Sequence, residues 1–241
     1  TREITRGLER QRQIHSDFKN NRLVIDMLSL PQKITVLFLA ANPKDQEQLY
    51  LDEEIRAITE KIRASEYRDS VELISRWAVR PDDLLQALNE HRPHIIHISG
   101  HGSYDGIAFS DPSGNTQEIT MDAIVQLFKV MSDNVRVVVF NTCCSRDQAE
   151  AVVKYVDVAI GMNAPIDDEL ARIFAAAFYS AIGFGHSVEK AFEQARVRLM
   201  MENRLAESIP ELFSCEGIDP DEVILVRPLG LDEQGDTWPQ S

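Results

Sequence analysis

From residue 33 onward, short apolar runs alternate with longer stretches in which apolar residues recur every three or four positions. Residues 34–40 (ITVLFLA) are continuously apolar, the pattern of a strand buried on both faces. Residues 49–62 place Leu51, Ile55, Ile58 and Ile62 on one side of a helix. Residues 71–79 read as a second strand, Pro81 opens a short helix through Leu88, and residues 95–99 (IIHIS) are a third strand. Residues 107–109 and 117–119 fit a hairpin across Asp111-Pro112-Ser113-Gly114-Asn115. A helix at 121–130 precedes a strongly β-branched strand at 135–140. Then follow a helix at 146–156, a short strand at 158–161, helices at 169–182 and 188–203, and a last strand at 223–226 (VILV). Strands alternating with helices predict an α/β domain with a largely parallel sheet and helices on both faces.

Residues 1–22 follow a different pattern. Ile4, Leu8, Ile14 and Phe18 recur at loosely helical spacing, amid six basic and three acidic residues. The remainder of the chain is strongly acidic, which brings the formal charge to −14 over 241 residues. We therefore expect an N-terminal amphipathic helix and linker over residues 1–30, a main domain at 33–228, and a polar, flexible tail at 229–241. A helix that covers one face of the sheet is favoured over a dedicated partner-binding or regulatory element.

Composition then narrows the function. At 44% apolar and 27% charged the chain is globular. The acidity argues against direct nucleic-acid binding, which needs a basic face. The longest apolar stretch, residues 173–184, is 12 residues with Ser180 and Gly183 inside it, short of the roughly 20 of a membrane span. Three cysteines, two of them adjacent, suit a reducing cytoplasm better than a disulfide framework. The chain starts at Thr1 rather than Met, so a processed or trimmed piece of something longer is one reading.

Ligands of open parallel sheets bind beyond the carboxyl ends of the strands. Two strand ends carry unusual residues: 95–99 runs into Gly100-His101-Gly102-Ser103, and 135–140 runs into Asn141-Thr142-Cys143-Cys144-Ser145. A Cys and a His meeting at one rim make a nucleophile and base. The following helix N-terminus would favour a Cys143 thiolate, and His101 could take its proton and return it to a leaving amine. Backbone N–H groups of Gly102 and Cys143 could stabilise the oxyanion. His94 and His97 read as hydrogen-bonded structural residues. Three apart on a strand, they point to opposite faces, so we expect no metal site and no cofactor. No P-loop, dinucleotide fingerprint or G-x-S-x-G elbow is present.

The segments His97-Ile98-Ser99-Gly100-His101-Gly102 and Asn141-Thr142-Cys143-Cys144-Ser145 resemble the paired signatures of the CHAT family, bacterial caspase-like cysteine peptidases related to separases and metacaspases. Ala159-Ile160-Gly161-Met162, Ile166-Asp167-Asp168-Glu169, Ala175-Ala176-Ala177-Phe178-Tyr179 and Gly185-His186-Ser187-Val188-Glu189 extend the likeness, which runs from about Lys33 to Val226. The resemblance implies a caspase-like three-layer sandwich and a cytoplasmic cysteine endopeptidase. His101 would be the general base and Cys143 the nucleophile, 42 residues apart, near the roughly 50 of caspases. Thr142 stands where the family usually has Ala, and Cys144 is a second thiol and a minor rival. Implied partners are a protein substrate and an activating partner or fused domain, in bacterial stress, antiphage defence or cell death. Asp167 and Asp168 either line a pocket for a basic P1 residue or cap the helix that follows, and an apolar P1 stays open. The alternatives are a catalytically silent binding or assembly module of the same fold, and a redox sensor using Cys143 and Cys144.

Overall fold

The computed structural model describes residues 30–202 and 205–226. Along them run β1 (Ile34–Ala41), α1 (Leu51–Arg63), β2 (Val71–Trp77), α2 (Pro81–His91), β3 (Ile95–Gly100), β4 (Gly106–Ser110), β5 (Thr116–Thr120), α3 (Met121–Met131), β6 (Val137–Asn141), α4 (Arg146–Val152), β7 (Val158–Met162), α5 (Asp168–Gly183), α6 (Val188–Glu202) and β8 (Pro210–Ser214). Six strands form one sheet in the order β2-β1-β3-β6-β7-β8, parallel except for β8, while β4 and β5 pair as a separate antiparallel hairpin.

The apolar strands are buried on both faces because each face has its own helical layer. Val36, Phe38 and Ala40 of β1 join Val137, Val139, Val158 and Ile160 in one core, closed by α1, α5 and α6. The intervening Leu37, Leu39 and Ala41 join Ile96, Ile98, Val138 and Phe140 in the other, closed by α2, α3, α4 and β4. This is the period-two alternation of a strand read between two layers, and it yields the expected three-layer α/β sandwich. Helix α5 packs through Ala171, Phe174, Ala175, Phe178, Tyr179 and Ile182, all buried, at spacings of three and four. Its first turn is capped by Asp167, which accepts the Leu170 N–H at 3.0 Å.

Two expectations need correction. Residues 223–226 are not a strand; Val223, Leu225 and Val226 are buried irregular chain, held by the Val188 N–H on Val223 O (2.9 Å) and Arg136 on Ile224 O (3.1 Å). The last strand is instead β8, antiparallel on the β7 edge. Its Pro210 is its first residue, where a missing N–H is tolerated. Helix α4 ends at Val152 rather than residue 156; Val153 and Val156 stay buried beyond it. The expected N-terminal helix and the tail at 229–241 lie outside the described residues. No described helix is long and apolar enough to cross a membrane.

Candidate active site

Strands β3 and β6 are parallel neighbours in which Ser99 lies beside Asn141. Each chain then runs two residues further, to His101 and to Cys143. Both side chains are half-buried and line a single cleft with Leu49, Tyr50, Ile166 and Asp168.

Two contacts hold the two loops together, and a third closes the Cys143 turn. A Cβ built at Gly102 would lie 2.7 Å from Cys143 O and 2.8 Å from Thr142 Oγ1, so the chains touch here and only glycine fits. Gln148 of α4 donates to Ser103 O at 2.8 Å. Ser145, fully buried, lies 2.7 Å from Thr142 O and accepts the Met162 N–H at 3.0 Å, closing the turn behind Cys143. Gly102 also pairs with Ile107 through the flanking bonds Ser103 N–H to Gly106 O (2.9 Å) and Ala108 N–H to His101 O (3.0 Å). That alternation leaves the Gly102 N–H outside the ladder.

His101 Nε2 faces Glu47 O at 2.6 Å. A carbonyl only accepts, so Nε2 carries the proton and Nδ1 is left as the acceptor. The loop presenting Glu47 is pinned at its ends. Asn42 exchanges two hydrogen bonds with Leu49 (3.0 and 3.2 Å), and Asp45 accepts from both the N–H and the hydroxyl of Thr116 (2.9 and 2.8 Å). The Cys143 thiol donates to Ile166 O at 3.7 Å rather than to His101. Cys144 points elsewhere: its backbone is left-handed (φ +56°), and its thiol meets Tyr104, whose phenol it raises above the ordinary range.

The two aspartates part company. Asp167 caps α5, whereas Asp168 accepts the Tyr50 N–H at 3.0 Å and borders the cleft with Cys143. Both also line an adjoining open hollow with Tyr50, Glu53, Glu169 and Arg172. His94 and His97 do not converge. His94 Nδ1 accepts the Thr35 N–H at 3.0 Å, while His97 is buried between Phe38, Tyr179 and Glu54.

The same cleft is lined by a group that the apolar pattern passes over. Glu54, 4% exposed, accepts hydrogen bonds from His97 Nε2 (2.9 Å), Ser99 Oγ (2.5 Å) and Asn141 Nδ2 (2.6 Å). The signal was present in the sequence, since Glu54 stands three residues after Leu51 and four before Ile58, inside the buried stripe of α1.

A parallel-centred three-layer sandwich with Cys and His on adjacent strand ends defines a protein of the caspase-like fold class. The CHAT domain model matches residues 5–211, and the chain belongs to that family. A "Probable protease" of Gillisia limnaea is 24% identical over 154 residues, and a "Roc-COR-CHAT protease" of an unknown prokaryotic organism is 24% identical over 165. Each alignment covers 63% of this chain but only 27% and 16%, respectively, of those relatives' length. Among solved structures, caspase-1 of Spodoptera frugiperda superposes with a TM-score of 0.52 at 7% identity, covering 81% of this chain and 89% of that one. That likeness is one of fold.

Proposed function

We propose that the chain is a cysteine endopeptidase in which Cys143 is the nucleophile and His101 the general base. The observation that carries this is the Ser99–Asn141 pairing, which delivers both residues to one cleft. The Cys143 Sγ proton passes to His101 Nδ1 while Glu47 O holds the Nε2 proton and the ring's orientation. Before that transfer the thiol turns away from Ile166 O, its resting partner. The thiolate attacks the scissile carbonyl carbon, and the oxygen that becomes negative is met by the N–H groups of Gly102 and Cys143. As the tetrahedral intermediate collapses, the C–N bond breaks and His101 protonates the departing amine. Water, deprotonated by His101, then attacks the thioester, releasing the acid and the thiol.

For the substrate we assign P1 selection to Asp168, whose carboxylate borders the cleft and favours Lys or Arg; Asp167 serves as the α5 cap. The setting we assign is a regulated bacterial stress, defence or cell-death response in the cytoplasm, switched by a partner or fused module.

The alternative, a silent binding module, draws on the thiol's bond to Ile166 O in place of one to His101. The test is cleavage of a proteome-derived peptide library by the protein and by its Cys143→Ala variant, with host lysate added in a second arm. Cuts that require Cys143 and follow Lys or Arg are expected. Cys143-dependent cuts after apolar residues would remove Asp168 from the scheme. An absence of Cys143-dependent cuts in both arms, with Cys143 alkylated no faster than Cys215, would leave the binding module.

A further inference from the structure

We infer that Glu54 is a positioning residue for the Cys143–His101 pair, and that its one carboxylate sets the placement of both; the inference rests on the peptidase reading above. Ser99 precedes His101 by two residues and Asn141 precedes Cys143 by two. Both donate to Glu54, Ser99 Oγ to Oε2 and Asn141 Nδ2 to Oε1. The ends of β3 and β6 are therefore tied to the same side chain of α1 at the wall of the cleft, two residues before His101 and Cys143.

The tie is braced from the fourth element around it. His97 donates Nε2–H to Glu54 Oε1, and its Nδ1 accepts the Tyr179 hydroxyl of α5 at 3.2 Å. Burial first, and the Glu54 charge second, raise the Tyr179 phenol well above its ordinary range, so it stays a donor. Asn141 Nδ2 also reaches Ala171 O of α5 at 3.3 Å. With oxygens facing Nδ2 on both sides, the orientation of the amide is determined. One carboxylate thus links α1, β3, β6 and, through His97 and Asn141, α5.

Glu54 lines the cleft, yet a contribution by direct contact with substrate is a poor fit. Both Glu54 oxygens are occupied by three donors, and the residue is 4% exposed. A purely apolar residue at this position would satisfy the α1 stripe but leave the His97, Ser99 and Asn141 donors buried and unpaired. The carboxylate is what lets two strand ends share one anchor, with all three donors satisfied.

The experiment compares wild type, His101→Ala, Glu54→Ala, Glu54→Gln and Ser99→Ala by three readouts: peptide cleavage, Cys143 alkylation by iodoacetamide across pH 5–10, and thermal melting. Glu54→Ala should lower kcat roughly 100-fold, the order of loss that an ångström of misplacement causes, with KM little changed. Its Cys143 alkylation profile should move towards that of His101→Ala, in which the base is absent. Glu54→Gln keeps all three contacts, its oxygen accepting from His97 and Asn141 and its amide donating to the Ser99 hydroxyl, and should restore both readouts. Ser99→Ala, which frees β3 alone, should move the profile in the same direction by less.

A merely structural role would lower the melting temperature and leave the profile of the folded enzyme where it was. A folded Glu54→Ala with the wild-type profile and kcat overturns the inference. So does Glu54→Gln behaving like Glu54→Ala, because charge rather than placement would then be acting. If Glu54→Ala does not fold, Glu54→Gln and Ser99→Ala decide, and an unmoved profile in Ser99→Ala overturns it. A wild type whose Cys143 reacts no faster than in His101→Ala fails the peptidase reading itself and removes the inference with it.

Discussion

A methyl group added at Gly102 would sit 2.7 Å from the carbonyl oxygen of Cys143, closer than real Cβ atoms approach anything. The loop that carries His101 and the loop that carries Cys143 are in contact here, so neither can yield without moving that residue. We expect Gly102→Ala to cost about 1–3 kcal/mol of stability through overpacking, with a loss in cleavage rate of roughly 100-fold. Kinetics and a melting curve on the same preparation check this. A folded variant with wild-type rates would show that the contact is slack. At this scale the sequence singled out His101, flanked by glycines, and Cys143, both just beyond strand ends, and the structure brings the two to one cleft. The sequence did not disclose Glu54. A carboxylate within an apolar helical stripe reads as a solvated neighbour until the three donors around it are placed in space, and those come from strands 43 and 87 residues downstream.

At the scale of the element, what the chain revealed depended on burial. Strands β1, β3 and β6 are buried on both faces, and their β-branched, largely apolar runs, with His97 and Ser99 the polar members of β3, are legible as strands. Strand β8 hides because it begins with Pro210 and pairs along one edge only. Residues 223–226 mislead because their apolar side chains are buried without any ladder. Helix α5 is legible through its three-and-four spacing, and it packs against both α1 and α6. Phe174, fully buried, stacks on Phe178 at 6.3 Å and meets Phe192 of α6 edge-on at 6.1 Å. Phe174→Ala should cost about 3–5 kcal/mol, a fall of roughly 10 °C in Tm. A loss below about 1 kcal/mol would mean that the α5–α6 seam repacks.

At the scale of the whole molecule, the two ends of the sheet differ in what they carry. The carboxyl end holds the cleft, and the amino end holds His94. That imidazole is held below its ordinary pKa by burial and then by the Arg136 charge, and its Nδ1 accepts the Thr35 N–H, as only a neutral ring can. Between the lowered folded value and about 6.5 the unfolded chain binds the proton more readily. Stability therefore rises with pH across that window, is complete above it, and is lost as pH falls through the folded value. The melting temperature should drop between pH 7.5 and 5.5, and His94→Gln should flatten that drop while cleavage rates at neutral pH stay as they were. An unchanged slope in the variant would assign the pH dependence to other groups.

The lateral pairing of Ser99 with Asn141 also bears on which lengths of chain can vary. Adjacent strands of a sheet stand about 4.8 Å apart whatever joins them. The separation of His101 from Cys143 is thus set by two overhangs of two residues and by the contacts of Gly102 and Ser103, and not by the length of the 42-residue interval between them. Residues 132–136, joining α3 to β6 at the far end of the sheet, are a place where the chain can grow or shrink without the cleft registering it. A single residue inserted between Ser99 and His101, or between Asn141 and Cys143, would turn that side chain away from the cleft while leaving the sheet intact.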